Sequence, residues 1–168
     1  MKFNNRQNKI VKDDDGKVHW ISRSLAVVVV IILNGEKVLL VKRGRRVKQS
    51  GKWCNPCGYL DWDETAEECA VREIFEETGL DITKCKIVKN FMDKPYEIIT
   101  HPGNNNKQDV AIHFGALIES DIEPFITTKY AEPGESDDVK WVDLKDLNNY
   151  RFAFNHNERI EKFLNLIK

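Results

Sequence analysis

The sequence lacks a long apolar run. Its longest, Leu25 to Leu33, has nine residues, too few to span a bilayer as a helix. It also lacks an excess of charge of either sign. Lys and Arg number 26 against 27 Asp and Glu, for a net charge of −1. No global field therefore draws it to nucleic acid or to an acidic membrane, and any phosphate binding has to come from local charge or a bound cation. The stretch Met1 to Asp15 is polar and has no apolar segment of the kind a secretory signal needs, so a cytoplasmic location is expected. Cysteine is sparse: Cys54, Cys57, Cys69 and Cys85. Cys54-Asn-Pro-Cys57 is followed by no second CxxC and no paired His, which leaves a structural zinc site short of ligands. Without export, structural disulfides are not expected either, and the four thiols read as buried or half-buried core residues. Repeats, low-complexity segments and linkers are also missing.

What remains is ordinary globular composition, 41% hydrophobic and 32% charged over 168 residues, enough for one core. Residues 1–17 read as an N-terminal tail or first extension, and 18–168 as a single domain. Val18 to Ile21 is a short extended candidate. Leu25 to Leu33 is β-branched and continuously apolar, the signature of a strand buried on both faces. Asn34-Gly35 predicts a hairpin turn, with Lys37 to Arg43 returning. Gly44 to Lys52 is a basic loop carrying Arg45 and Arg46, either solvated or a rim that meets an anionic substrate. Trp53 to Tyr59 is irregular and extended. Further strands are predicted at Cys85 to Met92, Val110 to Glu119 and Val139 to Val142. A loop is expected from His101, a helical turn over Leu144 to Leu147, and a C-terminal helix from Asn155. Val110, Ile112, Phe114, Ala116 and Ile118 share one strand face. Strands before and after a central helix predict an α/β (α+β) sandwich on a mixed sheet.

The central helix, Glu64 or Thr65 to Thr78, carries the chemistry. Acidic residues in its first turn suit the helix dipole. Asp63 is the expected N-cap, and Gly79 the left-handed stop. Glu73, Glu76 and Glu77 fall at i, i+3 and i+4 and share one face. Three carboxylates so close repel one another unless a cation compensates, and Arg72 can neutralise only part of that charge. A solvated acidic face fits poorly, because Ala66 and Ala70 flank the glutamates where another segment can approach. Carboxylates without His or Cys neighbours favour Mg²⁺ or Mn²⁺, ions that neutralise phosphate charge and acidify a bound water. The pattern suits metal-dependent hydrolysis of a phosphoanhydride.

Gly58 to Leu80 resembles the Nudix box, matching every fixed position of Gly-x5-Glu-x7-Arg-Glu-U-x-Glu-Glu-x-Gly-U, where U is bulky and aliphatic. The box covers 23 of the 168 residues. The resemblance implies an α/β/α sandwich around a mixed sheet. It implies that Glu73, Glu76 and Glu77 bind the metal, with one of them or a later loop acid as general base, and that Arg72 orients them. Glu64 and Gly79 become structural, and the Gly58 carbonyl a further metal contact. By the same likeness Glu135, six residues before Trp141, is a late metal ligand, with Asp137 and Asp138 as alternatives. The implied substrate is a small nucleotide, a nucleoside diphosphate linked to another moiety, of ADP-ribose or nucleotide-sugar type. Pro95 hints at ADP-ribose and Tyr96 at dinucleoside polyphosphates, and the two stand side by side. Nucleoside triphosphate hydrolysis and a non-catalytic nucleotide sensor are the alternatives; the full set of box glutamates argues against the sensor. RNA cap removal is kept open only by the basic loop. Arg43, Arg45, Arg46 and Tyr96 are candidate substrate contacts. Trp20, Phe91, Tyr96 and Phe114 are candidate stacking rings. A homodimer is left open by analogy alone.

Overall fold

The computed structural model describes residues 10–20, 24–101 and 109–168. The elements in chain order are β1 (Ile10–Lys12), β2 (Val18–Trp20), β3 (Ser24–Leu33), β4 (Lys37–Arg43), β5 (Trp53–Cys54), β6 (Cys57–Tyr59), α1 (Ala66–Thr78), β7 (Lys86–Phe91), β8 (Glu97–His101), β9 (Asp109–Glu119), β10 (Ser136–Asp143) and α2 (His156–Ile167). A 3₁₀ turn, Ile82–Lys84, follows α1, and a second, Leu144–Asn149, follows β10.

The Val- and Ile-rich β3 sits at the centre of the sheet, ordered β10-β4-β3-β9-β7, with β5 on β4, β6 on β3 and β8 on β9. It pairs parallel with β9 over ten positions, Ser24↔Asp109 to Leu33↔Ile118, while its pairings with β4 and β6 are antiparallel. The sheet is therefore mixed. Side chains alternate across a strand, and β3 uses both faces. Val27, Val29, Ile31 and Leu33 join Ala70 and Ile74 of α1, together with Phe114, Ala116 and Ile118 of β9. Val30 and Ile32 join Ile160 and Phe163 of α2. A helix on each face of the sheet gives the α/β/α sandwich.

The turn at Asn34-Gly35 has both residues at positive φ, 53° and 73°, as the twist of a tight hairpin demands. Two strands escape the sequence pattern. β8 hides between Pro95 and a turn-rich segment, and β1 lies in what reads as polar tail, where it forms a separate two-stranded sheet with β2. His101 ends β8 rather than opening a loop; residues 102–107 of that expected loop lie outside the described residues, as do residues 1–9 of the tail. Among the described residues no helix is long and apolar enough to cross a membrane.

Candidate functional site

The helix α1 is capped two residues after the position expected from the sequence. Thr65, not Asp63, is the N-cap: its side chain accepts from the Glu68 amide at 3.2 Å while Glu68 Oε2 accepts from the Thr65 amide at 2.7 Å. This reciprocal box satisfies two orphan donors. Asp63 sits outside it at φ 63°. At the other end Gly79 closes the helix at φ 69°, donating to Phe75 O at 2.8 Å.

Arg72 is only 4% exposed, and its planar fork fills the space among Glu64, Glu73, Glu76 and the Tyr59 carbonyl. Nε and Nη2 grip both oxygens of Glu64, at 3.0 and 2.5 Å. Nη1 donates to Glu73 at 2.7 Å and Glu76 at 3.0 Å, and Nη2 also reaches Tyr59 O at 3.0 Å. Lysine could not make this set of bonds. Burial works against the guanidinium charge, but the bonds to Glu64 and the charge of Glu73 hold its pKa above the ordinary value. Glu64 thus anchors Arg72, and Arg72 orients Glu73 and Glu76.

The carboxylates are crowded. Burial, with the charges of Glu76 and Glu135 behind it, pushes Glu73 up to about 7 against the pull of Arg72. Burial, then Cys57 and Glu73, drives Glu77 well above the usual range, although its Oε2 accepts the Cys57 amide at 2.8 Å. Glu76 and Glu135 are raised as well, burial first in both. These mutual charge effects tie Glu135, from the loop before β10, to the α1 cluster. A divalent cation fits such a set: all donors are hard oxygens, and its charge would relieve the repulsion. Gly58 packs directly against Glu73, where a Cβ would overlap the carboxylate.

The basic loop holds Glu135 by main chain. Gly44 N donates to Glu135 O at 2.7 Å and Arg46 N to Gly134 O at 2.9 Å. The Arg45 and Arg46 side chains are exposed. Arg43 is different: with Gly58, Glu73 and Glu135 it lines a cleft of about 270 Å³. The cleft's remaining wall is one the sequence reading left out. It includes Phe154, two residues before α2, and His156 and Arg159 from the first turn of α2. Arg159 is paired there with Glu97 at 2.9 Å. The rings expected to stack a base lie elsewhere. Phe91 packs edge-on to Phe163, Phe114 is in the α1-side core, and Tyr96 rests on Phe163 with its hydroxyl donating to Arg159 O at 3.4 Å. The side chain of Trp20 lies outside the described residues. Asp137 is exposed, and Asp138 pairs with Lys140 at 3.3 Å.

The fold supplies Cys54 and Cys57 with a histidine that their sequence neighbourhood lacks. Ligand atoms of Cys54, Cys57 and His156 lie within 4.8 Å of one another. The group nevertheless fits a metal poorly. His156 Nδ1 accepts the Asn55 amide at 3.0 Å, so the neutral ring carries its proton on Nε2 and has no second lone pair to give. Arg43 Nη1 lies 3.8 and 3.9 Å from the two sulfurs, where a second cation would be repelled. Burial, helped by nearby cationic groups, lowers His156 to about 3 and keeps it neutral. The thiols are free, and the cluster acts as a polar floor under the Arg43 wall.

Comparison with known proteins bears on this geometry. The NUDIX domain family model matches residues 22–164. An ADP-ribose pyrophosphatase of Methanocaldococcus jannaschii is 32% identical over 159 residues, covering 93% of this chain and 83% of that protein. An isopentenyl-diphosphate Delta-isomerase of Cereibacter sphaeroides is 31% identical over 142 residues, 83% of this chain and 73% of that protein. The NUDIX domain of Shewanella oneidensis NrtR, solved with ADP ribose, shares the fold at a TM-score of 0.69 and 22% identity, covering 88% of this chain and 90% of that one.

Proposed function

The chain belongs to the NUDIX family as a pyrophosphate hydrolase, and from that premise we propose that it cleaves the diphosphate of a nucleoside diphosphate linked to another moiety, ADP-ribose or a nucleotide sugar. The observation that carries this reading is the oxygen cluster of α1, where Arg72 clasps Glu73 and Glu76 beside the buried Glu77, at the edge of a cleft that also holds Arg43 and Glu135. The similarity to an ADP-ribose pyrophosphatase over most of both chains supports the substrate class.

Glu73, Glu76 and Glu77, with the Gly58 carbonyl, would hold Mg²⁺ or Mn²⁺, which when bound supplies charge neutralisation and a polarised water. Arg72 fixes the orientation of the acids, so little reorganisation is needed during the reaction. Arg43 neutralises phosphate charge from the opposite wall. We assign the proton of the attacking water to Glu135. It comes from the loop before β10 rather than from α1, and it lines the cleft together with Arg43. Water attacks one phosphorus in line and the bridging oxygen leaves.

Chromatographic detection of the products tests this with Mg²⁺ and Mn²⁺ over ADP-ribose, nucleotide sugars, dinucleoside polyphosphates, nucleoside triphosphates and isopentenyl diphosphate, since cleaving the diphosphate of the first two leaves two phosphomonoesters and no free phosphate. The expected result is cleavage of the first two classes, abolished by EDTA. Tight binding without cleavage would favour a sensor, and rearrangement of isopentenyl diphosphate without phosphate release would redirect the assignment.

A further inference from the structure

Among the described residues, two aromatic rings line the cleft and remain about half exposed, Tyr59 at 48% and Phe154 at 46%. They differ in what holds them. Tyr59 lies beside Gly58 at the end where the carboxylates cluster. Phe154 stands on the other wall, and its backbone is costly. Phe154 and Asn155 are consecutive non-glycine residues in the left-handed region, at φ 53° and 56°. Such conformations persist only when the surroundings fix them, and they gather at binding sites. Here both flanks are fixed. Ala153 is fully buried and donates to Trp53 O at 2.8 Å, while His156 N donates to Ala153 O at 3.0 Å. The buried His156 ring is tied in turn to Asn55 N. Asn155 is the N-cap residue of α2, but its side chain makes no cap hydrogen bond there. A phenylalanine would ordinarily be driven inward; this one is held out, in the cleft.

The Arg43 guanidinium lies 4.9 Å from the Phe154 ring centroid and is itself anchored by a bond to Lys48 O at 2.7 Å. A cation against an aromatic ring, with much of the ring still open, makes a platform for a second flat π-system. The same arginine faces the space beside the carboxylates, so one end of a ligand can stack while its anionic end reaches toward Glu73.

We propose that Phe154 is the stacking platform for the base of a nucleotide substrate and so selects ligands with an aromatic base over other diphosphates. This rests on the reading of the cleft as a nucleotide diphosphate site. Stacking is tolerant of base identity because every base has a π-face, so adenine and other bases benefit alike.

Calorimetric binding of ADP and of inorganic pyrophosphate to wild type, Phe154→Leu and Phe154→Trp tests it, with circular dichroism as a check of folding. Leucine keeps apolar bulk and removes the π-face, so it guards against a merely structural loss. The expected result is an affinity for ADP about tenfold weaker in Phe154→Leu, pyrophosphate binding within about twofold of wild type, and recovery of ADP binding in Phe154→Trp. Unchanged ADP binding in Phe154→Leu overturns the proposal, and so does an equal loss for both ligands. The companion kinetic readout is a raised KM with kcat little changed on ADP-ribose. Absence of turnover in wild type would count against hydrolysis, whereas ADP binding that still depends on residue 154 would uphold the platform.

Discussion

The two walls of the cleft are made by opposite strategies. The α1 wall comes from one contiguous stretch, Gly58 to Leu80, and is dense with charge: Arg72 is shared among Glu64, Glu73 and Glu76. The facing wall is gathered from Arg43, Phe154, His156 and Arg159, more than a hundred residues apart at the extremes, and rests on a strained backbone and a neutral imidazole. The difference separates two tasks. Charge that must be arranged within a fraction of an ångström is written on one helix, where spacing is fixed by the helical repeat. Shape that chooses a ligand is distributed, so it can vary without disturbing the acids.

The largest expected effect falls on the α1 wall. Glu76→Gln and Glu77→Gln should each lower kcat by about a thousandfold with the circular dichroism spectrum unchanged. Near-normal turnover in both would erase the division of labour between the walls. Next, Arg72→Met leaves buried carboxylates without their cation, so urea unfolding should find a loss of about 3 kcal/mol; a loss below about 1 kcal/mol would mean the clasp is ornamental.

The walls also respond to pH with opposite sign. His156 has its folded pKa lowered to about 3 from 6.5, so between those values the unfolded chain binds the extra proton. Its contribution is complete above 6.5 and is lost as pH falls toward 3. Glu73 has its folded pKa raised to about 7 from 4.5. In metal-free protein its contribution is complete below 4.5 and is lost as pH rises through 7. The His156→Gln variant should therefore lose less stability than wild type on going from pH 6.5 to 5, by about 2 kcal/mol. Parallel urea midpoints for the two proteins would contradict this. The smallest effect sharpens the α1 side alone. Thr65→Ala should cost about 1 kcal/mol with no specific change in kcat, and Asp63→Ala should cost less than that.

These particulars also mark where the sequence could be read. The glutamates and Arg72 were legible because their spacing is local. β3, β4 and the Asn34-Gly35 turn were legible because burial on both faces and positive φ leave plain signatures. The cap was misassigned because Asp63 and Thr65 are both capping residue types; Glu68, three residues after Thr65, was the signal that separates them. Phe154 and Arg159 had no such signal. Their place in the cleft depends on where α2 docks, which no local pattern records, and Tyr96, prominent for its place after Pro95, turned out to pack on the α2-side core. His156 joins Cys54 and Cys57 through long-range packing, so no spacing rule applied to the cysteines could include it.

The parallel pairing of β3 with β9 has a consequence for how the chain is made. Ser24 to Leu33 waits for a partner that begins at Asp109. At about 5–20 residues per second, the most apolar strand leaves the ribosome several seconds before that edge can be covered. The earlier pairings with β4, at Ile32 and Leu33, and with β6, at Ala26 to Val28, cover the opposite edge and leave this one open. The segment Val27 to Ile31 is rich in β-branched residues and free of charge, the composition that seeds intermolecular sheets. The yield of soluble protein should thus be governed less by the stability of the finished domain than by how quickly synthesis reaches β9. Slower initiation, lower temperature or a chaperone that shields extended apolar chain should each raise that yield.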